Sequence, residues 1–365
     1  MIRKVVHQDI NVAEFISVCV FLSEECGKII RRVEESGDLK TISKGADNPV
    51  TIADITVQKT LEVNLKHIYP TLQVQGEESA ESIANVDSAV DPSSITAQVR
   101  NFITTDMLNQ KHDQRREWIS NVLREYYTED EVSSDHFSTF NTEDAVVWID
   151  PLDGTNDFVK GNLSAVTVLI GLSIKDKSRI GIVHNPFSEQ DREVGKTIFG
   201  TAEHGVYKVI SDKNMSVDEL VSRELEYFEP FDNTEPEEGH QIRVAASLTH
   251  FSAQMKEILE TLDPVEIVRM GGAGNKCCNL AQGNVDAYIH PSPGLMYWDL
   301  CGPESLVKGM GGWATNLLQE RLTYPVNAPN HKLKGLVLAK NPPMYATIKS
   351  RMGALLTNIA KTVKL

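Results

Sequence analysis

The sequence has little cysteine: five residues among 365, with no Cys-x-x-Cys pair and no nearby pair of histidines. That odd count excludes a disulfide framework and a zinc finger or ribbon, and suits reduced, buried thiols in a cytoplasmic protein. Long apolar runs are missing too. The longest, Ile16 to Leu22, is broken by Ser17 and followed by Ser23-Glu24-Glu25, well short of the roughly 18 residues of a membrane span. The opening MIRKVVHQDINVAEF holds no apolar core of signal-peptide length, and its acids argue against a transit peptide. Positive charge is scarce: 36 Lys and Arg face 51 Asp and Glu, a net charge of −15. Such a chain repels nucleic-acid polymers and anionic membranes. It can still bind a small polyanion where cations reverse the local field.

What is present reads as a soluble chain of about two domains, at roughly 150 residues each. Apolar positions Phe15, Val18, Cys19, Leu22, Cys26, Ile29, Ile30 and Val33 recur at steps of three and four, predicting a helix over 11–33 that stops at Gly37. A second helix is expected over 52–67, with Thr51 and Asp54 as its capping box. Leu72–Gln75 alternates as a short strand and ends at Gly76-Glu77-Glu78. From Ala80 to Asp144 the chain turns polar, with one expected helix near Trp118–Tyr127; this stretch reads as an insertion, either a lid or a solvated loop. Buried strands are expected at 145–149, 165–173, 180–184 and 206–210. The acidic, proline-punctuated stretch Glu229–His240 marks the expected boundary between domains 1–238 and 239–365. Beyond it, expected strands at 242–246, 265–269 and 287–290 alternate with helices, the last opening near Pro303, which is an α/β pattern.

The most informative segment is Asp150-Pro151-Leu152-Asp153-Gly154-Thr155. Two carboxylates three apart, across a proline-fixed turn at the end of a buried strand, can aim at one point together with the Leu152 carbonyl. Hard cations such as Mg²⁺ require oxygen ligands of this kind. An isolated Asp-x-x-Asp is more often a helix cap. Here further acids stand at other element ends: Asp54, Glu77-Glu78 and Asp299 after Trp298. Each alone also reads as a cap or a solvated turn residue, whereas together they form the pattern of a metal site. Gly271-Gly272-Ala273-Gly274-Asn275-Lys276 opens a helix but fails both the P-loop and the GxGxxG patterns. Beside a metal site it becomes a second phosphate or ribose contact, with Lys276 as the charge.

These residues resemble the lithium-sensitive, magnesium-dependent phosphatases of the inositol monophosphatase superfamily, with Gly-Glu-Glu, Asp-Pro-Leu-Asp-Gly-Thr and Trp-Asp in order. Within it, Gly27–Arg32, Val166–Gly171, Gly271–Lys276, Ser292–Gly294 and Trp298–Glu304 are similar to the 3′(2′),5′-bisphosphate nucleotidase branch. The resemblance implies α+β and α/β parts in a five-layered αβαβα sandwich. It implies two or three Mg²⁺ on Glu77, Asp150, the Leu152 carbonyl, Asp153 and Asp299, with Asp54 and Thr155 orienting and deprotonating the attacking water. Substrate contacts fall on Gly154, Thr155, Ser247, His250, Gly272 and Lys276. The implied reaction converts adenosine 3′,5′-bisphosphate to AMP and phosphate, acts likewise on the 3′-phosphate of the sulfate-donor nucleotide, and is inhibited by lithium. Inositol polyphosphate 1-phosphatase, acting on inositol 1,4-bisphosphate, is the sister alternative, since its members also carry a long insertion before the Asp-Pro motif, and the resemblance allows both activities in one chain. Aspartyl-phosphate phosphatases need acids two apart, and these are three apart.

Overall fold

A computed structural model describes residues 7–43, 49–111, 115, 117–118, 137–188, 192–247 and 252–362. The first long element is α1 (Val12–Ser36), capped by the Asn11 side chain on Glu14 N and ended by Gly37 at φ 67°. Its neighbour α2 (Ile52–Ile68) starts with the expected capping box of Thr51 and Asp54. Seven strands then form the larger sheet: β1 (Gln73–Gly76), β2 (Ala145–Asp153), β3 (Thr167–Ile174), β4 (Lys177–Asn185), β5 (Val194–Thr201), β6 (Gly205–Asp212) and β7 (Glu226–Phe228). Their order is β7-β6-β5-β4-β3-β2-β1, antiparallel throughout except for β1 beside β2. Both faces of β2 are buried: Val147 and Ile149 meet the α1–α2 core, while Val146 and Trp148 face the opposite layer. That is why the strand reads as a continuous apolar run.

The second sheet holds β8 (Ile242–Ala246), β9 (Val265–Arg269), β10 (Ala287–His290), β11 (Trp313–Thr315) and β12 (Leu336–Ala339). Its order is β9-β8-β10-β12-β11, with the β9-β8-β10 trio parallel. Between the sheets lie α5 (Ala273–Ala281) and α6 (Tyr297–Gly309); a short α3 (Thr155–Val159) follows β2. The outer face of the second sheet is covered by α4 (Ala253–Thr261), α7 (Pro342–Met352) and α8 (Leu355–Thr362) through Ile258, Leu259, Ile348 and Leu356. The layers are therefore helix, sheet, helix, sheet, helix, the sandwich that the resemblance implied.

Glycines set how closely α6 approaches the larger sheet. A Cβ on Gly302 would stand 2.7 Å from the Ile170 carbonyl, and Cβ atoms on Gly171 or Gly181 would strike the Gly302 backbone. Cys277, Cys278 and Cys301 fill the same interlayer core, and all five cysteines are free and buried.

Three expectations need correction. The described part of the 80–144 stretch is not simply a solvated loop: Val90, Ile95, Val99, Phe102, Ile103 and Leu108 are buried against α1 and α2, while Asp91, Ser93 and Thr96 between them stay exposed. Ser17 Oγ clamps it by accepting from Ile103 N at 2.8 Å. Its helices, Ala97–Arg100 and Thr105–Asn109, are too short for a burial period to show in the sequence. The helix expected at 118–127 lies outside the described residues apart from its first position. The last interlayer helix begins at Tyr297, six residues before Pro303, which sits inside it. A proline there only withholds an N–H from the Asp299 carbonyl, so the helix survives. Strand β5 was not expected, because Gly195 and Gly200 interrupt its alternation.

Candidate active site

The expected acids arrive from separate elements. Pro151 has no N–H for the ladder, and the β2–β3 register slips by one residue between Asp150 opposite Leu169 and Asp153 opposite Thr167. This bulge turns the strand end so that both carboxylates face the interlayer space. Gly154, at φ 85°, then reverses the chain into α3. Glu77 follows β1, its N–H bonded to the Ile149 carbonyl at 3.1 Å, beside the residue before Asp150. Gln58 holds the Glu78 backbone from both sides, donating to its carbonyl at 2.7 Å and accepting from its N–H at 2.7 Å. Asp299 lies in the first turn of α6, with Oδ2 accepting from Met296 N at 2.7 Å.

The fold brings Asp54 and Thr155 together. The Thr155 hydroxyl lies 3.1 Å from Asp54 Oδ1 and 2.9 Å from the Leu152 carbonyl. Thr51 donates to the other oxygen of Asp54 from both N and Oγ1, at 2.7 and 2.6 Å. Burial lifts the Asp54 carboxyl to about 6, aided by the charge of Glu78 and opposed by the Thr51 and Thr155 bonds.

The acid cluster is electrostatically frustrated. Burial, then the charges of Glu77, Asp153 and Asp299, push the Asp150 carboxyl well above the carboxylate range. Asp299 rises to about 7, from burial first and the Asp153 charge second, and it shares a hydrogen bond with Asp150. Asp153 is also raised by burial, against Lys276 and two backbone donors, Ala273 N at 3.0 Å and Gly274 N at 2.7 Å. Among the described residues, no three His, Cys, Asp or Glu side chains are already gathered around one point; Asp153 and Asp299 instead cap α5 and α6. The donor set nevertheless fits hard cations. It is all oxygen, its members repel one another, and Lys276 is the basic group that opposes them.

A cleft of about 280 Å³ opens beside this cluster. Of the expected substrate contacts, Gly154, Thr155, Ser247, Gly272 and Lys276 all line it, as do Asp153 and Asp299; His250 lies outside the described residues. Gly272 is obligatory: it has φ 68°, and a Cβ there would stand 2.5 Å from the Ala165 carbonyl and 2.9 Å from Asp153 Oδ2. Lys276 Nζ donates to the Gly272 carbonyl at 2.9 Å and stands 5.3 Å over the Tyr288 ring. Burial lowers its pKa, with Asp153, Asp157 and Asp299 opposing. Sequence reasoning missed Asp157, Tyr288 and His290 in the lining. His290 ends β10, beside the parallel β8, where open α/β sheets place ligands; that rule could have found it.

The model of the inositol monophosphatase family matches residues 11–346. The chain belongs to this family. It is 27% identical over 316 residues to 3′(2′),5′-bisphosphate nucleotidase 1 of Dictyostelium discoideum, covering 84% of this chain and 86% of the relative. The Mus musculus protein of the same name is also 27% identical, over 89% and 91%. Another relative is the Golgi-resident adenosine 3′,5′-bisphosphate 3′-phosphatase of Bos taurus, 25% identical over 86% and 73%. Among solved structures, inositol monophosphate-bound SaIMPase-II superposes with TM-score 0.59 at 16% identity over 96% of this chain and 98% of that one. CysQ of Bacteroides thetaiotaomicron gives 0.58 at 19% identity over 90% and 98%. No described helix is long and apolar enough to cross a membrane.

Proposed function

We propose that the chain is a magnesium-dependent, lithium-inhibited phosphatase that converts adenosine 3′,5′-bisphosphate to AMP and phosphate. The 3′-phosphate of the sulfate-donor nucleotide is a second substrate. The two units 1–238 and 239–365 meet at its cleft, and its five free thiols suit the cytoplasm. The observation that carries the reading is Thr155 Oγ1 held 3.1 Å from Asp54 Oδ1 at the rim of an acid-lined cleft. The nucleotide rather than inositol preference follows the bisphosphate nucleotidases among its relatives.

Glu77, Asp150, the Leu152 carbonyl, Asp153 and Asp299 would hold two or three Mg²⁺, which lower the pKa of water and offset phosphate charge. The remaining work falls to side chains. The Thr155 hydroxyl donates to Asp54 and offers its lone pair to the incoming water, fixing the line of attack on phosphorus. As the new P–O bond forms, the water proton passes to Thr155 and the Thr155 proton to Asp54 Oδ1. The ester P–O bond breaks, and the departing 3′-oxygen takes a proton from solvent. Asp54, at about 6, is a carboxylate at neutral pH yet basic enough to accept. Ser247, His250, Gly272 and Lys276 grip the rest of the nucleotide; buried Lys276 supplies the cation for its second phosphate.

The test is phosphate release from adenosine 3′,5′-bisphosphate and inositol 1,4-bisphosphate side by side, with magnesium, with and without lithium. Preference for the nucleotide, abolished by lithium and by Asp153→Asn, is the expected result. Preference for the inositol moves the chain to the sister branch, and near-normal turnover in the Asp153→Asn variant overturns the site.

A further inference from the structure

Strand β1 is the outer strand of the larger sheet, with β2 as its one neighbour among the described residues. The bond from Glu77 N to the Ile149 carbonyl continues that ladder by one step. No described strand lies on the other side to take the backbone groups of Glu78, and a side chain takes them instead. Gln58, fully buried in α2, donates from Nε2 to the Glu78 carbonyl and accepts from the Glu78 N–H at Oε1, both at 2.7 Å. One side-chain amide thus supplies the pair of bonds that an adjoining strand would make.

Two further contacts define this clamp. Gln58 Nε2 also donates to Glu62 Oε1, one turn further along α2, at 2.9 Å. A carboxylate only accepts, so Glu62 keeps the NH₂ end of the amide on its own side and the oxygen end toward Glu78 N. Gly76 makes the close approach possible: a Cβ there would stand 2.4 Å from Gln58 Cδ. Asp54, which accepts from Thr155, lies one turn before Gln58 on the same helix face. Successive turns of α2 therefore hold the Asp54–Thr155 pair and the corner that carries Glu77. Gln58 itself is not among the residues that line the cleft.

We propose that Gln58 is a positioning residue, which clamps the Glu77–Glu78 corner so that the Glu77 carboxylate is held in place for Mg²⁺. The inference rests on the metal assignment above and adds to it a residue that touches neither ion nor substrate. Without the clamp the ion must order the corner as it binds. The loss therefore falls on Mg²⁺ affinity and spares the contacts with the nucleotide.

The test is calorimetric titration of Mg²⁺ into the full chain without nucleotide, paired with phosphate release in which magnesium and adenosine 3′,5′-bisphosphate are varied in turn. Gln58→Met keeps the length of the side chain and removes both Glu78 bonds. It should weaken Mg²⁺ binding by about 10–100-fold, the usual effect of removing a group that orients a metal ligand. The magnesium needed for half-maximal release should rise by a similar factor, while at saturating magnesium the nucleotide KM stays within about twofold. Gly76→Ala presses a methyl against the same amide and should shift Mg²⁺ binding in the same direction; it decides the matter where Gln58→Met does not fold. Leu65→Ala controls for stability alone. It removes a buried contact of α2 about three turns beyond Asp54, and should lower the urea midpoint without changing Mg²⁺ affinity. Wild-type Mg²⁺ affinity in folded Gln58→Met, or an equal loss in Leu65→Ala, overturns the clamp. So does a change confined to the nucleotide KM. If the wild type binds Mg²⁺ but releases no phosphate from the nucleotide, the nucleotide reading fails and calorimetry still judges the clamp. If the wild type binds no Mg²⁺, the metal assignment and the clamp fall together.

Discussion

Replacing Asp299 by Asn should make the metal-free protein more stable while abolishing its activity. The Asp299 carboxyl is raised from 3.8 to about 7 by burial and by Asp153. A folded-state pKa above the unfolded one means that ionisation opposes folding. The penalty is absent below about pH 4, grows as pH rises toward 7, and is complete above it. A rise of about three units sets a ceiling of about 4 kcal/mol. Asp299 is partly open to the cleft, and solvent screening brings the expected gain to about 1–3 kcal/mol at pH 8. The amide oxygen can still accept from Met296 N, so the α6 cap is retained. Urea unfolding of wild type and Asp299→Asn with chelator should therefore coincide near pH 4 and diverge by pH 8, the variant being more stable. Added Mg²⁺ should stabilise the wild type by mass action and the variant far less. A variant less stable than wild type at pH 8 without metal, or equal stabilisation of both by Mg²⁺, would refute the carboxylate-cluster reasoning.

Thr155→Val keeps the shape but removes the hydroxyl that bridges Asp54 and the Leu152 carbonyl; phosphate release should fall by about 10²–10⁴, with Thr155→Ser restoring most of it. Because Asp54 keeps its two Thr51 bonds, the accompanying stability loss should be about 1 kcal/mol by urea unfolding. Gly302→Ala sets a methyl 2.7 Å from the Ile170 carbonyl and should cost about 1–3 kcal/mol. It should also depress phosphate release, since Asp299 rides on the displaced helix. Below pH 6, protonation of Asp54 removes the proton acceptor, so the wild-type rate should decline in a pH profile of kcat; a flat profile from pH 5 to 8 would remove Asp54 from that role.

The sequence by itself determined what nearest neighbours along the chain control. The period of α1, the Thr51–Asp54 capping box, the buried run that delivers Asp150, and the turn at Gly154 are all local, decided within a few residues by burial periodicity and backbone sterics. The identities of the acids were legible for the same reason, because each stands at an element end marked by a proline, a glycine or a cap. Tertiary structure decided what those residues do to one another. Asp54 and Thr155 are 101 positions apart and share a hydrogen bond. Asp153 caps a helix that begins at Ala273. The carboxyls are raised only because two sheets and an interlayer helix bring like charges together in a largely buried space beside the cleft. The burial of Val90, Ile95, Val99, Phe102, Ile103 and Leu108 and the true start of α6 were equally invisible. Each depends on which distant surface an element meets, and no period or spacing within one chain segment encodes that.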